Sequence, residues 1–205
     1  MLGNIKWLGH SSIKISGSKQ IYIDPYNIKD EYKDADIIFI THSHYDHFSL
    51  DDIDKCRKNS TVLVITRDLE EKVKELNIQY IIVEPYNSYI VDNISFETIP
   101  SYNINKSYHP KNNNWVGYVI NINNNKYYVA GDTDITEETK KIVCDVAFLP
   151  IGGTYTMNYR EAAELVNIIK PKYVIPIHYG TIVGDMDDAL KFKELLDKDI
   201  ICVIM

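Results

Sequence analysis

The chain has 205 residues, 45% of them apolar and 25% charged, and a formal net charge of −7. It is long enough to bury a sizeable core within one large domain, and its acidity argues against nucleic acid as a partner, because neutralising phosphates needs a concentrated basic face. Cys56, Cys144 and Cys202 are odd in number, far apart and outside any Cys-x-x-Cys pattern, which disfavours both a disulfide framework and a thiolate zinc site.

Residues Met1 to Lys6 lack the apolar core of a signal peptide, and no stretch reaches the roughly 20 apolar residues of a membrane span. A cytoplasmic protein with no membrane partner is expected. Ile5 to Leu8, Ser12 to Ile15 and Gln20 to Ile23 are short β-prone runs that predict an antiparallel meander. The third ends at Asp24-Pro25-Tyr26, where proline stops the strand and leaves a carboxylate at its end. A buried strand follows from Ile37 to Thr41, then a helix from Leu50 to Lys58 capped by Ser49. Val62 to Ile65, Arg67 to Leu76 and Tyr80 to Val83 continue the alternation as strand, helix and strand.

The pattern then repeats. Ser88 to Val91, Ile94 to Ile99, Trp115 to Ile122 and Lys126 to Ala130 are predicted strands with polar turns, followed by a short helix from Glu137 to Ile142. Val146 to Leu149, Tyr173 to Ile177 and Ile200 to Ile204 are predicted strands. Helices from Asn158 to Ile169, with Asn158 and Glu161 as a capping box, and from Asp187 to Leu196 separate them. Each half runs from antiparallel meander into β/α units. The layout implies two sheets packed face to face with helices outside, an α+β chain with no internal linker.

Between the strand at Ile37 and the helix at Ser49 stands His42-Ser43-His44-Tyr45-Asp46-His47, with three of the six histidines in the chain. His42 and His44, two residues apart, can point to one side and share a metal. Asp46 and His47 follow too closely to join the same tetrahedron and are better placed to begin a second site, so the stretch has the form of half a two-metal centre. The competing reading is a surface loop that happens to be rich in histidine. Three further strand ends offer ligands: His109 in Tyr108-His109-Pro110, Asp132 in Gly131-Asp132-Thr133-Asp134, and His178 in Ile177-His178-Tyr179-Gly180. Singly they would be a loop histidine, a turn cap and a strand-end histidine; taken in order, they complete a two-metal set.

In this order the motifs resemble those of the metallo-β-lactamase superfamily, from about Ile5 to the C-terminus. Trp7-Leu8-Gly9-His10, Ile23-Asp24-Pro25, Leu149-Pro150-Ile151-Gly152-Gly153 and Pro176-Ile177-His178-Tyr179-Gly180 are similar to the small stand-alone metal-dependent hydrolases near the ascorbate-6-phosphate lactonases. The resemblance implies a four-layer αββα sandwich formed as one domain over residues 1–205. It implies that His42, His44 and His109 hold one metal, that Asp46, His47 and His178 hold the second, and that Asp132 bridges them. Asp24 would orient a ligand imidazole. The cofactor is two divalent ions, Zn²⁺ first with Mn²⁺ or Fe²⁺ as alternatives. No cysteine stands at a ligand position, which disfavours true lactamase activity. Members of this branch can self-associate, so a homo-oligomer is compatible with it.

The chemistry so implied is hydrolysis by a metal-bridging hydroxide, with Asp46 also orienting the water. Lys106 and Lys111 around His109, with Asn103, Asn105 and Asn112 to Asn114, suggest a polar lip for a small anionic substrate, a phosphodiester or a lactone. His10, Lys106, Tyr108 and Tyr179 are candidate leaving-group acids, none of them assigned. The rivals are a non-catalytic metal- or ligand-binding module on the same fold, and a nuclease, which the acidity and the lack of a basic extension disfavour.

Overall fold

A computed structural model of the chain describes residues 2–205. Two compact units divide it, the first ending at Glu84 and the second spanning Pro85–Met205, and each carries one mixed sheet.

In the first unit, β1 (Ile5–Gly9), β2 (Ser12–Ser16) and β3 (Gln20–Ile23) form the antiparallel meander. β4 (Ala35–Phe39), β5 (Arg57–Thr66) and β6 (Gln79–Val83) extend it in parallel, in spatial order β1 to β6. Helices α1 (Leu50–Cys56) and α2 (Glu70–Lys74) lie in the crossovers that parallel strands require. Ile38, Leu63 and Ile65 pack in one cluster with Ile53 and Cys56 of α1 and with Leu69 and Val73. Ile37, Phe39 and Val64, of opposite parity on the same strands, are equally buried. The central strands are therefore apolar on both faces, as parallel sheets are.

Two expectations need correction here. Ser49 caps α1 as predicted, its hydroxyl accepting from the Asp52 N–H at 3.3 Å, but the helix ends at Cys56 instead of Lys58. Arg57 pairs with Ala35 as the start of β5, and Lys58 bonds Asp36 at 2.7 Å, so partners on β4 draw these residues into the sheet. The helix expected from Arg67 is a 3₁₀ turn, Arg67–Leu69, before the five residues of α2.

In the second unit, β7 (Ser88–Val91), β8 (Ile94–Pro100), β9 (Val116–Ile122) and β10 (Asn125–Val129) are antiparallel. β11 (Val146–Pro150), β12 (Tyr173–Ile177) and the two-residue β13 (Ile201–Cys202) then add in parallel. Asn123 and Asn124, at φ 51° and 61°, make the turn between β9 and β10, where both central residues need the left-handed region that asparagine tolerates. Helix α3 (Tyr159–Ile169) has the predicted capping box and buries Ala162, Ala163, Leu165 and Val166; α4 (Asp188–Glu194) follows. The helix expected over Glu137 to Ile142 is only a 3₁₀ turn, Thr139–Lys141. The Thr136 N–H donates to the Thr139 hydroxyl at 2.8 Å and the Thr139 N–H to the Thr136 hydroxyl at 3.1 Å, and such side-chain bonds compete with helix formation.

The topology decides where each unit presents its loops. β1, β3 and β4 run in one direction, so the turn at His10, the bend at Asp24 and the segment after Phe39 leave one edge of the first sheet. β8, β10 and β12 likewise share a direction, which sends the segments holding His109, Asp132 and His178 to one edge of the second. Loops at the C-terminal ends of like-directed strands are where such sheets bind ligands.

Candidate functional site

In the first unit, β4 delivers the chain through Ile40 to Thr41 and the histidine stretch. The N–H groups of His47 and Phe48 both donate to the His44 carbonyl, at 3.0 and 2.8 Å, and this turn brings the His47 ring back against His42, their centroids 4.0 Å apart. His42 and His47 are almost wholly buried, as is Asp24. Asp24 accepts from the Thr41 N–H at 2.8 Å, the Thr41 hydroxyl at 2.7 Å and His47 Nδ1 at 2.8 Å. A threonine hydroxyl has one proton, and Asp24 takes it, so toward His42 Nδ1, 3.0 Å away, Thr41 accepts. Both His42 and His47 therefore carry their proton on Nδ1 and leave the Nε2 lone pair for a ligand. His42 Nε2 lies 3.1 Å from His44 Nδ1. His10, Asp46 and His47 form a second cluster, with ligand atoms within 4.8 Å of one another.

The second unit supplies His109, Asp132 and His178, all at most 4% exposed. Asp132 Oδ2 lies 3.2 Å from His109 Nε2 and 3.2 Å from His178 Nε2, so one carboxylate oxygen faces two imidazoles. Asn103 Oδ1 accepts from the His109 N–H at 3.0 Å and from Nδ1 at 3.0 Å, so that Nε2 is the nitrogen that faces Asp132. The Asn103 amide donates to Asp134 Oδ1 and the Tyr155 carbonyl, and Asp134 also holds Ile104 N and Lys106 Nζ. His178 sits at φ 56°, a left-handed conformation that non-glycine residues adopt mostly where surrounding structure imposes it, as at functional sites. A Cβ on Gly152 would collide with the His178 carbonyl, so this loop closes only over glycine.

These separations suit metal ligands. Two atoms bound at about 2.0–2.1 Å to one tetrahedral ion are about 3.3 Å apart, and the His42–His44, His109–Asp132 and His178–Asp132 spacings of 3.1, 3.2 and 3.2 Å are close to that edge. Nitrogen and carboxylate donors without thiolate suit borderline and hard divalent ions. Within each unit the residues expected as ligands lie close to one another, and Asp24 bonds His47 Nδ1.

Thr41 and Asn103 were not predicted in these roles. Thr41 was legible only as the last residue before His-x-His, and Asn103 carried no spacing signal. The lysines of the predicted polar lip are engaged elsewhere: Lys106 pairs with Asp134 at 2.6 Å and Lys111 with Glu138 at 3.0 Å. Burial would raise the Glu138 carboxyl, but hydrogen bonds from Tyr86, Lys111 and Tyr102 outweigh it and hold the pKa down at about 2. Among the candidate acids, Tyr179 is fully buried, which raises its pKa, and Tyr108 is 48% exposed. His10 is buried and bonded to Asp46.

The sequence matches the model of the β-lactamase superfamily domain over residues 4–178. A metal-dependent hydrolase of the UPF0173 family from Pyrococcus furiosus is 33% identical, over 98% of this chain and 95% of its own length. A solved protein of Parabacteroides distasonis aligns with a TM-score of 0.83 at 30% identity, over 98% of this chain and 91% of its own. A Thermotoga maritima structure described within the metallo-β-lactamase superfamily aligns at TM-score 0.67 and 22% identity, over 98% and 97%, a likeness of fold alone. With two mixed sheets and four helices, the α+β class and the metallo-β-lactamase fold read from the sequence stand.

Proposed function

Since the chain belongs to the metallo-β-lactamase superfamily and is a metal-dependent hydrolase of it, we propose that it is a binuclear enzyme. On this reading residues 1–205 form one metallo-β-lactamase-like domain. His42, His44 and His109 would hold one divalent ion and Asp46, His47 and His178 the other, with Asp132 as a ligand shared between them. The observation that supports the reading is the set of partners at Nδ1: Thr41, Asp24 and Asn103 each stand where they can accept a ring N–H, which would leave the opposite nitrogen of His42, His47 and His109 for a metal.

When bound, two divalent ions supply Lewis acidity toward water and toward the bond under attack. The chain's own part is to present the lone pairs without rearrangement and to orient the attacking water through the Asp46 carboxylate. The substrate is a small molecule with a hydrolysable phosphodiester or lactone bond. Because Lys106 and Lys111 balance carboxylates of their own unit, they do not support a cationic lip for an anion. The three unbridged cysteines support a reducing cytoplasmic setting.

Elemental analysis of protein purified without chelator, coupled to a screen of chromogenic phosphodiesters, lactones and β-lactams, tests this. About two metals per chain with phosphodiester or lactone turnover is expected, with Zn²⁺ ahead of Mn²⁺ or Fe²⁺. The Asp46→Ala variant is expected to keep its fold and lose turnover. Hydrolysis retained by that variant, or wild-type protein that takes up no metal, refutes the proposal.

A further inference from the structure

The Trp7-Leu8-Gly9-His10 motif has no part in the ligand set, yet the structure brings its histidine to a ligand. His10 occupies the two-residue connection between β1 and β2 at φ 48°, with Gly9 at φ 114° before it. The Trp7 indole N–H donates to the His10 carbonyl at 2.8 Å, so the motif braces its own turn. The ring is buried, packs edge-on to Tyr26 and His47, and puts Nε2 2.9 Å from Asp46 Oδ2.

The same oxygen, Oδ2, is the one that lies 3.8 Å from His47 Nε2. An ionised carboxylate only accepts hydrogen bonds, so the His10 contact is an Nε2–H donated to Asp46. With Nε2 given to Asp46, His10 does not serve as the leaving-group acid. A short aspartate in a loop keeps one rotamer only where a neighbour holds it, and a left-handed turn with an internal indole bond is a fixed place from which to do so.

We infer that His10 is a positioning residue: its Nε2–H holds the Asp46 carboxylate toward His47 and so sets the affinity of the metal position that Asp46 completes. This rests on the binuclear reading above. Partners of metal ligands at this remove typically contribute 10–100-fold in metal affinity.

The test is Co²⁺ titration of metal-free full-length protein, followed by visible absorption and paired with the melting temperature of each metal-free variant. His10→Gln can place an amide N–H near the Nε2 position, His10→Asn is too short, and His10→Phe keeps a ring without the donor. Wild type is expected to bind two ions. The Asn and Phe variants are expected to bind the first ion normally and the second about 10–100-fold more weakly, while Gln stays within about threefold of wild type and metal-free melting is unchanged in all three.

Asn and Phe variants that bind the second ion like wild type, or that lose it only in step with a lower melting temperature, would show a merely structural histidine and overturn the inference. Loss of the second ion in Gln as well would make His10 itself a ligand, which also overturns it. Wild-type protein binding fewer than two ions would remove the binuclear reading instead, an outcome the unmutated titration reports separately.

Discussion

Thr41 and Asn103 do for His42 and His109 what Asp24 does for His47: each stands at Nδ1 as an acceptor, so that Nε2 is the nitrogen proposed to ligate. An imidazole free to rotate or to shift its proton would lose part of its affinity to those alternatives. Replacing Asn103 with Leu removes an acceptor from His109 Nδ1 and the donor that Asp134 receives. The expected outcome is metal affinity lower by about 10-fold or more, measured by competition with a chromophoric chelator, while the circular dichroism of the variant matches wild type. Cys56 gives a control at the same scale. Burial, with Asp52 and Asp34 nearby, pushes its thiol up to about 12, so it should resist thiol reagents until the protein unfolds.

At the scale of elements, the segment between β11 and α3 serves two ends that mutation can separate. Gly152 admits the His178 carbonyl, and Asn158, bridged to Gly152, caps α3 through the N–H groups of Arg160 and Glu161 at 2.9 and 3.1 Å. Asn158→Ala removes the cap and is expected to cost about 1 kcal/mol, a fall in melting temperature of about 2–4 °C for a chain of this size, with metal binding intact. Gly152→Ala has the opposite profile. Its methyl group must displace the end of β12, and the expected loss is in metal stoichiometry rather than in the far-ultraviolet spectrum. Calorimetry and metal analysis on the two variants check both outcomes, and equal behaviour would mean that the loop is a single structural unit without a separable role at His178.

For the molecule as a whole, the acid limit of stability has a predictable component. Glu138 is depressed to about 2 from the ordinary 4.5 by its bonds from Tyr86, Lys111 and Tyr102. A carboxyl lowered in the folded state stabilises it fully above the unfolded value and loses that contribution as pH falls through the folded one. The Glu138→Gln variant should therefore melt below wild type at neutral pH, and the gap should close between pH 4.5 and about 2. Melting curves across that range decide it; a gap constant with pH would show that packing rather than charge holds Glu138.

The succession of strands along the chain and the duplicated meander-then-β/α layout were legible in the sequence, as were the motifs that hold the proposed ligands, because they are local. Most of the proposed ligands closely follow an apolar run, with His109 the exception, and the capping box of α3 lies within four residues. The shortened α1 and the 3₁₀ turn at Thr139 were not, since Lys58 answers to Asp36, 22 residues away, and threonine hydroxyls compete with a helix only once the backbone has bent. Tertiary structure alone decided what stands at Nδ1 of His42, His47 and His109, that His10 meets Asp46, and that Lys106 is committed to Asp134. Those contacts join residues 17, 36 and 28 positions apart for Thr41–Asp24, His10–Asp46 and Lys106–Asp134. Residue type and spacing state what a side chain can bond to, whereas the partner it does bond is chosen only when the sheet brings distant loops to one edge.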